Sequence, residues 1–309
     1  MNNKDIIKNP INYTGSKNRL LPIILPNLPQ GCSTIVEPFG GTFEVSLNTD
    51  FENKIYNDKN CYLYMLIELF KEFPVEHILQ YLEGCISQHH LSKFDKEAFY
   101  EFRDDFNKHW FYHLLDNNDG GEFKNIALIR LLALIYHSFN YFITFNKDGK
   151  YMNTSGYGRS SFNDSLKQKM IKYCEVLQDK RVNIELNNMD FRGFYFKLCK
   201  KYDFNFTNVF FFVDPVYINS DDTYRRNSNI SWTVKDEEEV YNMLDEINKL
   251  GGKFMLTNTI ECNGVKNEQL ETFSQKYKTI STDCDFYGCS YQRKNNKTRE
   301  VIVKNYWHK

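Results

Sequence analysis

The chain has 309 residues and eight cysteines, yet no Cys-x-x-Cys pair and no histidine at zinc-ligand spacing from one. Zinc fingers and ribbons are excluded, and the scattered thiols at 32, 61, 85, 174, 199, 262, 284 and 289 read as reduced and mostly buried. Glycine is scarce at 15 residues, and neither Gly-x-Gly-x-x-Gly nor the spacing Gly-x-x-x-x-Gly-Lys-Ser/Thr occurs. That argues against a dinucleotide and against a phosphate-loop nucleotide. An excess of either charge is lacking too: 39 Lys+Arg stand against 40 Asp+Glu, a formal net charge of -1. A chain-wide basic surface is excluded, but a local basic groove balanced by acidic runs such as Asp236–Glu239 and Asp104-Asp105 is not. The longest apolar stretch, Ile126–Ile143, contains Arg130 and His137 and reads as a buried helix rather than a membrane span. The first ten residues, Met1–Pro10, are polar and lack the apolar core of a signal peptide. These features predict an intracellular, cytoplasmic monomer with no membrane partner and no metal.

Hydrophobic residues at 41% provide for a substantial core. The aromatics, 26 Phe and 21 Tyr, fit core packing first and base stacking second. No internal repeat or low-complexity block occurs. Residues 20–60 alternate strand and helix signals: a strand over Ser33–Glu37 ended by Pro38, a glycine turn, a helix through Asn48, and a strand at Lys54–Tyr56. Residues 61–180 have helical spacing over Tyr62–Phe73, Val75–Leu82, Lys96–Asn107, Asn125–Phe142 and Leu166–Leu177. Between the last two, Phe145 to Arg159 is polar, and its Lys147-Asp148-Gly149 signals a hairpin. After 180 the alternation returns, with strands at Asn208–Val213, Lys253–Thr257, Tyr277–Thr282 and Arg299–Val303 and a helix at Glu238–Leu250 stopped by Gly251-Gly252. The last two strands bracket the polar Arg293–Lys297 and are expected to pair as a closing antiparallel hairpin. The reading is an α/β domain over 1–60 and 181–309, interrupted by a helical insertion over 61–180.

Four segments carry candidate chemistry. Tyr13-Thr14-Gly15-Ser16-Lys17 opens a helix, and on its own fits a capped helix start with exposed bases. Glu37-Pro38-Phe39-Gly40-Gly41 is a strand ending in an acid, followed by a glycine turn and a helix. α/β folds hold nucleoside ligands beyond such strand ends. Asn57-Asp58 closes the next strand, where an acid can accept from both ribose hydroxyls. An ordinary helix cap fits those two residues as well. Phe210–Val213 delivers Asp214, Pro215 and Tyr217 to the sheet edge. A carboxylate and a main-chain carbonyl there can accept both hydrogens of an aromatic amine, and a ring can stack on a flipped base. A proline-stopped strand with a packed tyrosine is the plainer alternative.

Taken in order, these segments resemble the DNA adenine methylase family, in particular the adenine methylases of T-even phages. Tyr13-Thr14-Gly15-x-Lys17 followed by Leu20-Leu21-Pro22 is similar to the family's opening motif. Phe39-Gly40-Gly41 with Val45–Asn48 is similar to its cofactor loop, and Asp58 to its ribose position. Leu91–Lys93 through Phe102–Asp104, and Phe139-Asn140 through Gly149, resemble the recognition insertion. Asp190-Phe191 and Trp232 resemble segments flanking the catalytic strand.

The resemblance implies a Rossmann-like S-adenosylmethionine-dependent methyltransferase fold with a helical DNA-recognition insertion carrying a β-hairpin. It implies methyl transfer from S-adenosyl-L-methionine to the exocyclic amino group of adenine in double-stranded DNA, with a GATC-like target and restriction-modification among its settings. Tyr13, Lys17, Glu37, Phe39, Gly41, Asp58, Asp190, Phe191 and Asp214 would meet the cofactor. Asp214, Pro215 and Tyr217 would hold the flipped adenine. Asn146 and Arg159 on the hairpin, with Arg225 and Arg226 in the Ser220–Ser231 loop, would meet DNA, Arg159 by bidentate contact to guanine. Two departures stand out. Val216 occupies the second proline of the usual Asp-Pro-Pro-Tyr, although a β-branched residue also favours extended backbone. Thr144 stands two residues before Asn146, where the phage enzymes carry arginine. The competing readings are a DNA-binding protein of this fold that has lost catalysis, and a methyltransferase of RNA or protein amides.

Overall fold

Short runs of β-branched and aromatic residues make the sheet, and their burial on both faces makes it central. In the computed structural model, which describes residues 6–11, 13, 15–115, 121–219, 232–262, 264–282 and 298–307, these runs form eight strands. They are β1 (Thr34–Glu37), β2 (Asn53–Asn57), β3 (Asn183–Asn187), β4 (Val209–Val213), β5 (Lys253–Cys262), β6 (Val265–Lys266), β7 (Lys278–Thr282) and β8 (Arg299–Lys304). Their spatial order is β3-β2-β1-β4-β5-β8-β7, with β6 paired to β5 alone. β3, β2, β1, β4 and β5 run parallel; β8 pairs antiparallel with both β5 and β7. The architecture is a mostly parallel Rossmann-like sheet.

Every residue of β1 and β4 is buried. Parallel sheets covered on both faces read as unbroken apolar runs for this reason. Val36, Phe211, Val213, Phe254, Leu256, Val301 and Val303 pack with the helices Phe191–Lys201, Val234–Lys249 and Glu268–Ser274 in one core. The Val234–Lys249 helix starts four residues before the expected Glu238, because Thr233 and Asp236 form a reciprocal capping box.

By contact density the chain divides in two. Residues 17–59, 180–226 and 230–309 make the unit that holds the sheet; residues 1–16 and 60–179 belong to the other unit. The second unit contains the helices Cys61–Glu72, Val75–Gln88, Lys96–Asp105, Glu122–His137 and Asp164–Leu177. Glu122–His137 is the apolar stretch of the sequence, with all of Ala127–Leu128-Ile129 and Leu131–His137 buried. Its Arg130 is accommodated by a 2.5 Å bond to Asp105 and by the Phe102 and Trp110 rings, 4.6 and 4.7 Å from the guanidinium. The helix ends at His137, not at Phe142 as the pattern suggests. Ser138 is extended, Asn140 and Tyr141 take φ of 56° and 57°, and the Asn153 amide donates to Ser138, Phe139 and Phe142. Among the described residues no helix is long and apolar enough to cross a membrane. Of the described cysteines, Cys174 and Cys199 are buried and Cys32, Cys61, Cys85 and Cys262 are partly buried.

Candidate active site

The carboxyl ends of β1, β2 and β4 converge, and their loops carry the polar residues. β1 ends at Glu37 and the chain turns through Pro38–Gly41. Gly40 is required by contact: a Cβ there would lie 2.4 Å from the buried Tyr56 ring and 3.2 Å from the Asn57 carbonyl. Gly41 takes φ +51°, which glycine adopts without strain. Its N–H donates to Asp58 Oδ2 at 2.9 Å, so the glycine turn fixes the acid that closes β2. The preceding Asn57 is wholly buried and ties three strand ends together. Its amide donates to the Pro38 and Met189 carbonyls and accepts from Met189 N–H.

Glu37 faces inward. Its Oε1 accepts from Ser46 N–H at 2.7 Å, so it anchors the short helix Glu44–Leu47. Burial raises its pKa to about 8 despite the bonding at Ser46. Phe39, Phe191 and Trp232 form an aromatic group with centroids 5.2 to 5.9 Å apart. The Trp232 indole N–H is buried and has no acceptor among the described residues. Asp190 caps the Phe191–Lys201 helix through Arg192 N–H and bonds Lys59.

β4 delivers Asp214, and three donors converge on it. Lys17 Nζ lies 2.7 Å from Oδ2, while the Thr257 and Tyr217 hydroxyls lie 2.7 and 3.0 Å from Oδ1. Lys17 and Asp214 expose only 11% and 17% of their side chains, so this ion pair is largely withdrawn from solvent. Burial works against the Lys17 charge, but Asp214, Glu300 and Glu44 outweigh it and hold the pKa above the ordinary value. Glu44, absent from the sequence reading, also accepts from Lys17 N–H and the Asn18 amide. Tyr217 O–H reaches Glu300 Oε1 at 2.8 Å, and the Lys17 ammonium lies 5.3 Å from the Tyr217 ring centroid. Val216 packs into the sheet core. Glu300, on β8, was also missed; no local motif marks it.

The structure thus gathers Lys17, Asp214 and Tyr217 in one cluster, and Phe39, Gly41, Asp58 and Phe191 at the neighbouring strand ends. Tyr13 belongs to the other unit. So does the expected hairpin, which is a tight turn closed by two isolated antiparallel bridges, Phe145↔Tyr151 and Ser138↔Ser155, rather than two extended strands. Asn146 closes it, its side-chain oxygen accepting from Asp148 and Lys150 N–H. Arg159 is exposed, 5.8 Å from the Phe139 ring centroid. Arg225, Arg226 and the Arg293–Lys297 segment lie outside the described residues. Among the described residues no cluster of three metal-ligating side chains occurs.

Comparison with known proteins agrees with this geometry. The type II methyltransferase M.FokI of Planomicrobium okeanokoites is 29% identical over 307 residues, which is 97% of this chain and 43% of that protein. The modification methylase StsI of Streptococcus sanguinis is 27% identical over 311 residues, 98% of this chain and 43% of its own length. The DNA adenine methylase of Escherichia coli K12 is 35% identical over 98 residues, 32% of this chain and 34% of that protein. The chain therefore spans less than half the length of M.FokI and of StsI. The family profile described as D12 class N6 adenine-specific DNA methyltransferase matches residues 13–302, and the chain belongs to that family.

Proposed function

We propose that this protein transfers a methyl group from S-adenosylmethionine to the exocyclic amino group of adenine in duplex DNA. The observation that carries the reading is Asp214 at the end of β4, held by Lys17 and Thr257 and followed by Pro215 and Tyr217. The residues at the strand ends fit the cofactor. Asp58 can accept from a ribose diol, and the Phe39–Phe191–Trp232 group offers an apolar wall with an unpaired donor for an adenine ring. The carboxyls of Asp214, Glu300 and Glu44 around Lys17 suit a cationic ligand. When bound, the cofactor supplies an electrophilic methyl on a sulfonium.

The protein's own part is orientation. The lone pair of an adenine amine is delocalised into its ring. An Asp214 oxygen and the Pro215 carbonyl, each accepting one amine hydrogen, would turn that lone pair toward the methyl. Tyr217 would stack on the flipped base. Once the methyl has passed from the sulfonium to nitrogen, the amine would release its extra proton to solvent. Double-stranded DNA would be gripped by Asn146, Arg159, Arg225 and Arg226. Tyr13, Lys17, Glu37, Asp58 and Asp190 would serve the cofactor side, Glu37 by bracing the helix behind the glycine turn.

The test is transfer from labelled cofactor to unmethylated genomic DNA, with modified positions mapped by single-molecule sequencing. Methyladenine within one short motif, GATC being the expected starting point, with loss of at least about a hundredfold in Asp214→Ala, supports the reading. Incorporation into RNA or protein instead, or none despite DNA and cofactor binding, refutes it.

A further inference from the structure

The Tyr217 hydroxyl has one hydrogen and faces two carboxyls. It is 3.0 Å from Asp214 Oδ1 and 2.8 Å from Glu300 Oε1. When both carboxyls are ionised, only one of these contacts can be a hydrogen bond at a given moment. The other then sets two lone-pair-bearing oxygens against each other. Glu300 is held firmly in that position. It has no exposed surface, and its backbone is paired on one side with Thr259 of β5 and on the other with Thr282 of β7. Its second oxygen, Oε2, is buried without a hydrogen-bond partner among the described residues. A neutral carboxylic acid tolerates such a site far better than a carboxylate.

We propose that Glu300 is a positioning residue that decides which acceptor takes the Tyr217 hydrogen, and so whether Asp214 is open to the adenine amine. Ionised Glu300 draws the hydrogen to itself, leaving Asp214 Oδ1 with Thr257 and room for the amine. Protonated Glu300 donates to the Tyr217 oxygen, and the Tyr217 hydrogen then occupies Asp214. Among the described residues the groups facing Glu300 are Lys17 from the N-terminal turn, Asp214 and Tyr217 from beyond β4, and the uncharged Thr259 on β5 and Thr282 on β7. Burial and Asp214 push its pKa up, Lys17 and Tyr217 pull it back, and it rests at about 7. The exchange therefore falls in the neutral range, with the open form above it. This inference rests on the proposed reaction, in which Asp214 receives the amine.

The experiment compares the full-length wild type, Glu300→Gln, Tyr217→Phe and the double variant, each checked by thermal melting. In the wild type kcat should rise with pH through neutrality and then level off. Glu300→Gln should lose that rise. Tyr217→Phe keeps the ring and should lose it too, and the double variant should be no worse than Tyr217→Phe. Infrared difference spectra supply a readout that needs no turnover. A protonated-carboxyl band should titrate near neutrality in the wild type, shift in Tyr217→Phe and vanish in Glu300→Gln. A retained rise in active Glu300→Gln, or additive losses in the double variant, overturns the inference while leaving the methyltransferase reading intact. Should the wild type methylate nothing, that reading fails first. The infrared titration then decides the Glu300–Tyr217 link, and a missing or unshifted band overturns it. If Glu300→Gln does not fold, Tyr217→Phe against wild type decides by the same two measures.

Discussion

A carboxyl sealed from water resists losing its proton, and Glu37 turns that into a property of the folded state. Its pKa of about 8 lies well above the roughly 4.3 of a solvated glutamate in an unfolded chain. Between those values the native protein keeps a proton that the unfolded chain releases, so this group makes stability fall as pH rises through the window. The penalty is on the order of a few kcal/mol. Glu37→Gln keeps an acceptor for Ser46 N–H and removes the ionisation. Denaturant unfolding at about pH 5 and about pH 8.5 should show a smaller drop in the variant than in the wild type. An equal drop in both refutes the assignment. Glu37 was expected among cofactor ligands from its place at a strand end. Sequence gives the place but not which way the carboxyl turns, and here it turns to Ser46. Asp214, Pro215 and Tyr217 were readable because they are contiguous. Glu300 and Glu44 were not, since they join the site only through pairing and packing distant in sequence.

At the level of the element, the turn after β1 is built by steric fit. Gly40→Ala would drive a methyl into the Tyr56 ring, which has no exposed surface and nowhere to go. We expect a loss of about 1–3 kcal/mol, read by thermal or denaturant melts, together with weakened cofactor binding. An unchanged melting temperature would show that the turn can relax. Strands β1, β2, β4, β5 and β8 were legible because apolar runs bounded by turn residues have few other uses, and β7 through its β-branched Thr279, Ile280 and Thr282. β3 was not: Asn183-Ile184-Glu185-Leu186-Asn187 is polar at alternate positions and lies at the sheet edge, where that pattern is tolerated. The hairpin near Gly149 was legible as a turn but overstated as strands. Asn146 and Asn107 take up backbone groups that ladders would otherwise use, Asn107 bonding Tyr151 N–H and C=O.

Across the whole chain, a net charge of -1 leaves little long-range attraction for DNA, so the proposed DNA binding would have to come from local contacts. Exposed Arg159 is the candidate base reader among the described residues. If it reads guanine, Arg159→Ala should relax the target at one position and cost about 1–3 kcal/mol, with the salt dependence of binding unchanged. A salt slope reduced by about one, with specificity intact, would make it a phosphate contact instead.

The place of β8 has a bearing on how the protein is made. It enters the sheet between β5 and β7, and its Lys304 bonds Asn27, 277 residues away in sequence. Synthesis runs from the N-terminus, so Lys17, Asp58 and Asp214 emerge from the ribosome before Glu300 is translated. Tyr217 and Glu300 are 83 residues apart, roughly 4–17 s of elongation. Throughout that interval a nascent chain carries every residue of its recognisable motif, yet Tyr217 still lacks its second acceptor. Completion of the centre waits on the synthesis of β8.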